Sequence, residues 1–568
     1  MEVKVIINQK KSIFDTEKTL LQNINAMGIE IPTLCHHEDI SPAGVCKICS
    51  VEVVGRGLVT TCDNYPEAGM ELNTHSDEVE EFRKDRIKEI LKDHSNDCLT
   101  CEKAMGDCEL QNISYEYGVE NRGDGTREKV AIDNSSSAFV RDMNKCIKCQ
   151  KCVKVCDEIQ GIGVYCVEED GSIGMTHGTV AETDCISCGQ CVKICPVGAL
   201  HEKIDLKNLN YDLKNPMKHI VVQMAPAIKN TIGEEFGILP GTDITKRMVA
   251  ALKDLGFDKV FSTDFSADVT IMEEGTEFLD RFTNGGKLPM FTSCCPGWIN
   301  YAEINHPEFL DNLSSCKSPQ QIFGALSKSY YSKVSGVKPS EVYSVSIMPC
   351  TAKKDEIIRD VMEDHDGNRD VDLVITTREL AKLFRLNKIN LADYEKEEEF
   401  DQLLGEGTGA ARIFASTGGV MEAALRTVSD VLGETSHSLE YKEVRGFEGV
   451  RRANLVLAGK EVNVAVINGI KNATPFLESI KKGETEVDFI EVMACVGGCL
   501  NGGGAPAPDN MRVVADRKIG LYDSDEKSVL RKSHENIEVK KLYEDYLGKP
   551  GGHKSHHLLH TNYKSRNK

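Results

Sequence analysis

Three short runs in the C-terminal half of the chain place thiols where they could hold a soft metal. The last reads Glu491-Val-Met493-Ala-Cys495-Val-Gly-Gly498-Cys499-Leu-Asn-Gly-Gly-Gly504-Ala-Pro506, with two thiols four residues apart and wrapped in glycine. Thiolates at that spacing can share one metal centre. Glycine lets backbone approach a bulky inorganic group where a Cβ would clash. The plainer alternative is a glycine-rich turn with two buried cysteines acting as small hydrophobes. The other two runs are Thr292-Ser-Cys294-Cys295-Pro-Gly-Trp298 and Met348-Pro-Cys350-Thr-Ala-Lys353-Lys-Asp-Glu356.

The N-terminal third is denser in ligand-type residues. Cys35, Cys46, Cys49 and Cys62 follow C-x10-C-x2-C-x12-C, which suits a 2Fe–2S cluster held by loops, although the first gap is longer than in plant-type ferredoxins. Zinc also accepts four thiolates. His94, Cys98, Cys101 and Cys108 fit either zinc or a 4Fe–4S cluster on spacing alone. The clearest local signal is a repeat: Cys146-x2-Cys149-x2-Cys152-x3-Cys156, then Cys185-x2-Cys188-x2-Cys191-x3-Cys195-Pro196. In this bacterial ferredoxin pattern the fourth cysteine of each run ligates the other cluster. One 4Fe–4S cluster is therefore expected on Cys146, Cys149, Cys152 and Cys195, and a second on Cys185, Cys188, Cys191 and Cys156. Cys166 belongs to neither run and is expected to be a packed thiol.

Composition bounds the setting. The chain has 568 residues, 22 cysteines and a net charge of −21. That length implies several domains. The start, Met1-Glu-Val-Lys-Val, lacks the layout of a secretory signal, so a cytoplasmic location is expected. In a reducing cytosol so many cysteines point to metal ligation rather than disulfides. No apolar stretch is long enough for a membrane span, and the acidic balance argues against a nucleic-acid partner.

Beyond residue 210 cysteines thin out, and apolar strand-like runs alternate with helical segments. The strands expected include His219–Val222, Lys259–Phe261, Leu288–Phe291, Tyr343–Ile347, Asp372–Ile375, Val462–Ile467 and Phe489–Val492, with helices at Thr377–Leu386 and Gly419–Leu432. Such alternation predicts α/β layers with largely parallel sheets. The three cysteine runs, and Met224-Ala-Pro226-Ala, each follow a strand. Ligands in open α/β sheets bind beyond the strands' carboxyl ends, so these runs are expected to meet in one crevice. The tail carries His553, His556, His557 and His560, read as a solvated helix or packing arm in preference to a metal site.

Taken together the motifs closely resemble the FeFe (iron–iron) hydrogenases, clostridial type, over essentially the whole chain. The family patterns T-S-C-C-P-x-W, M-P-C-x-x-K-x-x-E and E-x-M-A-C-x-x-G-C-x-x-G-G-G-x-P are each matched. The resemblance implies an α+β multidomain protein. Its parts would be a β-grasp ferredoxin-like 2Fe–2S domain (1–78), a small 4Fe–4S domain with one histidine and three cysteine ligands (79–125), a bacterial-type two-4Fe–4S ferredoxin domain (126–209), a large two-lobed α/β catalytic domain (210–530) and a C-terminal arm packing on it (531–568). It implies an H-cluster: a 4Fe–4S cubane on Cys295, Cys350, Cys495 and Cys499, with Cys499 bridging to a two-iron subsite bearing CO, cyanide and an azadithiolate. Lys353 would hold a cyanide, and Pro226, Ala227, Gln320, Met348, Phe414 and Met493 would line the subsite. Cys294 would hand on protons, with Glu274, Ser314, Glu277 and Arg281 continuing the route. Without the resemblance, Lys353 reads as a surface lysine and the i, i+3, i+7 set Glu274, Glu277, Arg281 as a solvated helix face.

The implied activity is reversible reduction of protons to dihydrogen, with electrons from ferredoxin or a similar small carrier passing through one 2Fe–2S and three accessory 4Fe–4S clusters. Maturation proteins for the two-iron subsite are implied partners. No nucleotide-binding fingerprint is present, so NAD(P)H chemistry would need a separate flavin subunit. Departures from the family are Ala227, where serine is common, Val496, where proline or histidine is common, more Cβ atoms in Gly409-Ala-Ala-Arg412-Ile-Phe414-Ala-Ser416, and one extra residue between Cys101 and Cys108. Three other classes compete: a hydrogen sensor, an iron–sulfur assembly protein, and a subunit like that of NADH dehydrogenase. The retained Cys294 route, the intact pocket motifs and the C-terminal runs argue against them in turn.

Overall fold

The computed structural model describes all residues except 96, 105–106, 121–127, 204–205, 365, 434–438, 458, 509 and 567–568. The domain junction expected at 125/126 lies outside the described residues. The chain divides into two compact units. One comprises Met1–Ile159, Gly163–Thr183 and Ile194–Glu202; the other comprises Gln160–Ile162, Asp184–Lys193 and Lys203–Lys568. No helix among the described residues is long and apolar enough to cross a membrane.

The first unit opens with a five-stranded sheet built from Glu2–Ile7, Lys10–Asp15, Ser50–Val53, Gly57–Thr60 and Glu71–Asn73. The amphipathic stretch after Thr19 becomes the helix Leu20–Asn25. Thr19 accepts from the Gln22 N–H while the Gln22 side chain returns to the Thr19 N–H, a capping box. Leu20, Leu21 and Ile24 then face Val5, Phe14 and Val51 in the core. The helix Asp77–Lys92 buries Arg83, which donates to the Ile48 and Ser50 carbonyls at 3.1 and 3.0 Å. Arg86 adds a donor to the Cys46 carbonyl at 3.3 Å, so two guanidinium groups hold the Cys46–Cys49 loop.

The second unit contains two four-stranded sheets. In one, Lys259–Ser262, His219–Met224, Val342–Met348 and Leu373–Thr376 run all parallel. Ile220, Val222 and Met224 pack into one core and Val221 into another, so the central strand is apolar on both faces. In the other, Met290–Phe291, Phe489–Met493 and Lys460–Asn468 are parallel and Val450–Leu457 is an antiparallel edge. That edge strand escaped the sequence reading because Arg451, Arg452 and Asn454 break its apolar run. The strand expected from Leu288 begins only at Met290, since Pro289 has no N–H to give a ladder. The helix Thr377–Leu386 starts where its Thr376/Glu379 capping box dictates. The helix Leu206–Asp212 runs across the junction expected at 209/210.

Candidate active site

The carboxyl ends of both sheets open onto one cavity of about 90 Å³. Pro226 and Ala227 reach it after His219–Met224, and Cys350 and Lys353 after Val342–Met348. From the second sheet, Cys294 and Cys295 follow Met290–Phe291, and Cys495 and Cys499 follow Phe489–Met493. Gln320, Met348, Phe414 and Met493 complete the wall among the expected residues. Every pocket and cubane residue named from the sequence therefore borders the same space.

Burial comes first in pushing up all four expected cubane thiols; Cys350 is raised further by Cys495, Cys295 and Cys499, which marks the four as neighbours. Backbone N–H groups oppose that rise: Ala494 and Trp298 at Cys295, and Gly503 at Cys495. Four crowded soft donors, met by N–H groups and bordering an apolar cavity, fit a cationic iron–sulfur group that would replace the thiol protons.

Gly498 and Gly502 border the cavity, and the glycines of this run also serve a second purpose. A Cβ on Gly502 would lie 2.1 Å from the Pro349 carbonyl, and one on Gly503 would lie 2.0 Å from the Cys188 carbonyl. Gly498, at φ +74°, would meet the Thr417 nitrogen at 2.7 Å. These positions let cysteine-bearing loops close on one another, backbone against backbone. Glu491 supports the arrangement, accepting from the Gly418 and Met421 N–H groups at 2.6 and 2.8 Å and so tying the Phe414 segment to the Cys495 strand.

Lys353 is buried. Its Nζ donates to the Cys294 carbonyl at 3.1 Å, to Ser318 Oγ at 2.8 Å and to both Glu356 oxygens at 3.0–3.1 Å. Burial works against the ammonium, but Glu356 more than offsets it and the group is raised. Glu356 is itself fixed by Ser318 Oγ at 2.9 Å and Gln320 Nε2 at 3.0 Å. The lysine is thus a charged wall residue held in place, not a surface group.

Glu274, Glu277 and Arg281 lie on the helix Thr263–Asn284 and point into protein. Glu274 is fully buried and its oxygens make no hydrogen bond, although Ser314 Oγ and the Ser293 N–H lie nearby. Ser314 Oγ donates to Glu277 Oε2 at 3.0 Å, and Glu277 Oε1 accepts from Arg281 at 2.5 Å. Burial, then Glu274, are the leading causes raising Cys294 well above an ordinary thiol. The groups form an inside-out series from Cys294 to Arg281, whose side chain is 16% exposed.

Burial, then Glu277, push Glu274 up to about 8. Its acid is therefore favoured by folding. Between the ordinary carboxyl range and about pH 8 the folded state binds the extra proton, so stability falls as pH rises through that window. Glu274→Gln, neutral throughout, should unfold later than the parent at pH 8 by a wider margin than at pH 5. Equal margins in thermal unfolding at the two pH values would show that the carboxyl titrates normally.

The loop bearing Cys185, Cys188 and Cys191 also reaches this region. Thr351 Oγ1, beside Cys350, donates to the Ser187 carbonyl at 2.7 Å, and Asn300 donates to Ile186 at 3.2 Å. Burial, then Cys495, raise the Cys188 thiol, so an expected accessory ligand neighbours an expected cubane ligand. In the first unit Cys146, Cys149, Cys152 and Cys195 line one cavity of about 20 Å³, and His94, Cys98, Cys101 and Cys108 line another of the same volume. Cys46 N–H meets Cys35 Sγ at 3.5 Å; thiol contacts from Cys46 and Cys62 pull Cys35 down, and Cys62 does the same to Cys49.

Comparison with known proteins gives these sites a family. Residues 218–503 match the family described as iron only hydrogenase large subunit, C-terminal domain, and 511–566 match iron hydrogenase small subunit. Residues 1–77 match a 2Fe-2S iron-sulfur cluster binding domain, 83–122 the NADH-ubiquinone oxidoreductase-G iron-sulfur binding region, and 145–199 a 4Fe-4S dicluster domain. The chain is 44% identical over 578 residues to Iron hydrogenase 1 of Clostridium pasteurianum, with 99% of each covered. The chain belongs to the FeFe hydrogenases. It is also 42% identical to the NADP-reducing hydrogenase subunit HndD of Solidesulfovibrio fructosivorans, again with 99% of each covered. A solved FeFe hydrogenase of Chlamydomonas reinhardtii is 40% identical and superposes with a TM-score of 0.59, covering 64% of this chain and 99% of that one. This FeFe hydrogenase interconverts protons and electrons with dihydrogen, and its accessory iron–sulfur domains transfer the electrons.

Several residues that build the hydrogenase site were not singled out from sequence. Glu356 ends the M-P-C-x-x-K-x-x-E motif and was available as a signal. Ser315 and His560 were not: the Ser315 N–H donates to both Glu277 oxygens at 3.0 and 3.2 Å, while His560 bridges Ser315 Oγ at 2.7 Å and buried Glu273 at 3.0 Å. The tail histidine thereby braces the loop that holds Glu277, and His556 stacks on it at 4.5 Å. Cys166 is not a packed thiol. It lies part-exposed on the short strand Tyr165–Val167, with its Sγ 3.4 Å from Glu168 Oε1.

Proposed function

We propose that this FeFe hydrogenase draws electrons from ferredoxin or a similar small carrier, through one 2Fe–2S and three accessory 4Fe–4S clusters, to a buried H-cluster. Cys35, Cys46, Cys49 and Cys62 hold the 2Fe–2S cluster in a β-grasp domain over 1–78. His94, Cys98, Cys101 and Cys108 hold a 4Fe–4S cluster over 79–125, and the doubled ferredoxin run over 126–209 holds two more. Residues 210–530 form the two-lobed catalytic domain, with 531–568 as its arm. The observation that carries the proposal is the single cavity bordered by Cys294, Cys295, Cys350, Cys495, Cys499 and Lys353.

When bound, the H-cluster supplies redox-active iron at which protons and electrons combine to dihydrogen. Cys295, Cys350, Cys495 and Cys499 would hold it, the Cys499 thiolate serving both of its parts. Lys353, its N–H groups taken up by the Cys294 carbonyl, Ser318 Oγ and Glu356, would offer its positive charge to an anionic diatomic ligand such as cyanide. Pro226, Ala227, Gln320, Met348, Phe414 and Met493 exclude water from the reacting side. Cys294 Sγ delivers the proton, refilled from the Glu274 carboxyl. Ser314 Oγ passes protons between Glu274 and Glu277 Oε2, and Arg281 fixes Glu277 near solvent.

The reaction belongs in the cytoplasm, where thiols stay reduced. Maturation proteins deliver the two-iron subsite. A second reading adds a flavin-bearing NAD(P)H subunit as electron partner, favoured by the full-length likeness to a protein named as an NADP-reducing hydrogenase subunit.

Removing residues 1–125 should slow ferredoxin-linked turnover while a small artificial reductant still drives hydrogen evolution. Equal loss with both donors, in folded and fully matured protein, would refute the relay role of this segment.

A further inference from the structure

One buried lysine lies beside both the Cys185–Cys191 loop and the Cys495–Cys499 turn. Lys193 is 9% exposed. Its Nζ donates to the Asn501 carbonyl at 2.8 Å and to Asn501 Oδ1 at 2.5 Å. Gln190 Nε2 donates to the same carbonyl at 2.8 Å, and Asn501 Nδ2 is spent on the Val496 carbonyl at 3.0 Å. Burial works first against its charge and pulls it down to about 7; Cys495, an expected cubane ligand, and Cys188, an expected accessory ligand, favour the charge, while Arg517 and Arg378 oppose it. Arg517 is matched by Glu234 at 2.6–2.7 Å. Lys193 has no carboxylate ion pair among the described residues. A cation buried without such a partner is costly, and here its counter-charges are the thiolates of two clusters.

We propose that Lys193 is an electrostatic tuning residue that raises the reduction potentials of the accessory 4Fe–4S cluster on Cys185, Cys188 and Cys191 and of the cubane on Cys495. This rests on the cluster assignments of the proposed function. Each step is a one-electron transfer supplied by a low-potential one-electron carrier: the donor loses an electron, the accepting cluster gains one, and no bond or proton changes. The ammonium stabilises the added negative charge, because charges interact strongly where water is excluded. It therefore favours electron occupancy at the last accessory stop and at the cubane together. No proton change at Lys193 is required.

The test is a redox titration of matured holoenzyme followed by electron paramagnetic resonance, comparing the parent with Lys193→Met, Lys193→Gln and Lys193→Arg. Glutamine keeps a donor for Asn501 without the charge, and arginine keeps the charge. Both neutral variants should need more negative potentials to reduce the neighbouring 4Fe–4S cluster and the cubane. At fixed potential the reduced-to-oxidised ratio should fall about tenfold, about 59 mV for a one-electron couple. Iron content and the 2Fe–2S signal should stay at parent values, and arginine should titrate like the parent. Parent-like potentials in a fully loaded Lys193→Gln protein would overturn the proposal. So would an arginine variant shifted as far as methionine, or failure of both neutral variants to load iron, which would make the lysine structural. Absence of the accessory 4Fe–4S signals from the parent would instead overturn the cluster assignment, and this proposal with it.

Discussion

Cys294→Ala should lower hydrogen turnover by about 10²–10⁴-fold, the range typical of a positioned proton donor, with iron content unchanged. In the proposed ligand set Cys295, Cys350, Cys495 and Cys499 supply the cubane's four thiolates, and Cys294 at the cavity wall is left over. Burial and Glu274 keep its thiol protonated, as a donor must be before it acts. Alanine removes the only titratable atom at that position, and neither a methionine nor a phenylalanine on the wall can replace it. Cys294→Asp restores a titratable group of similar reach, so it should recover part of the rate and move the pH optimum. A cysteine that merely packs beside a ligand predicts the reverse: a small loss in alanine and a larger one in buried aspartate. Parent-rate turnover by fully loaded Cys294→Ala protein would end the donor assignment.

Cys499→Ser should abolish hydrogen evolution while leaving the accessory clusters intact. The residue follows Gly498, whose positive φ and backbone approach to Thr417 fix where the side chain enters the cavity. Serine nearly preserves the shape but offers a harder, rarely ionised oxygen in place of a soft thiolate. The two-iron subsite should then fail to load, and its infrared bands should vanish. The paramagnetic signals of the N-terminal clusters should persist, because their ligands are remote in sequence and lie in loops of their own. Full-intensity diatomic bands in this variant would show that Cys499 is not the bridge.

Much of the site was legible because metal ligation imposes fixed spacings and residue types. Cys294, Cys295, Cys350, Cys495 and Cys499 could be named from three short runs, and the parallel-sheet pattern placed those runs at strand ends. What stayed hidden depends on contacts distant in sequence. Lys193 sits inside the Cys191–Cys195 gap, where any residue satisfies the spacing, and its partner Asn501 is over 300 positions away. His560 reads as one of several tail histidines until its contacts to Glu273 and Ser315 are known. The glycines of the last run were located correctly but explained too locally. Their role, closing the Pro349 and Cys188 backbones onto the turn, involves loops that sequence spacing does not connect. The strand Val450–Leu457 was lost because an edge strand tolerates Arg452 and Asn454 on its open face, and because Arg451 is buried where an apolar residue would have kept the pattern.

Infrared spectroscopy of the matured parent protein tests the central claim most directly, because CO and cyanide bound to iron absorb where protein does not. Metal-bound CO and CN stretches should be present, should shift when dihydrogen is added, and should disappear from Cys499→Ser. Protein carrying its full complement of cluster iron, yet showing no such bands after maturation, would contradict the assignment of this cavity to the H-cluster.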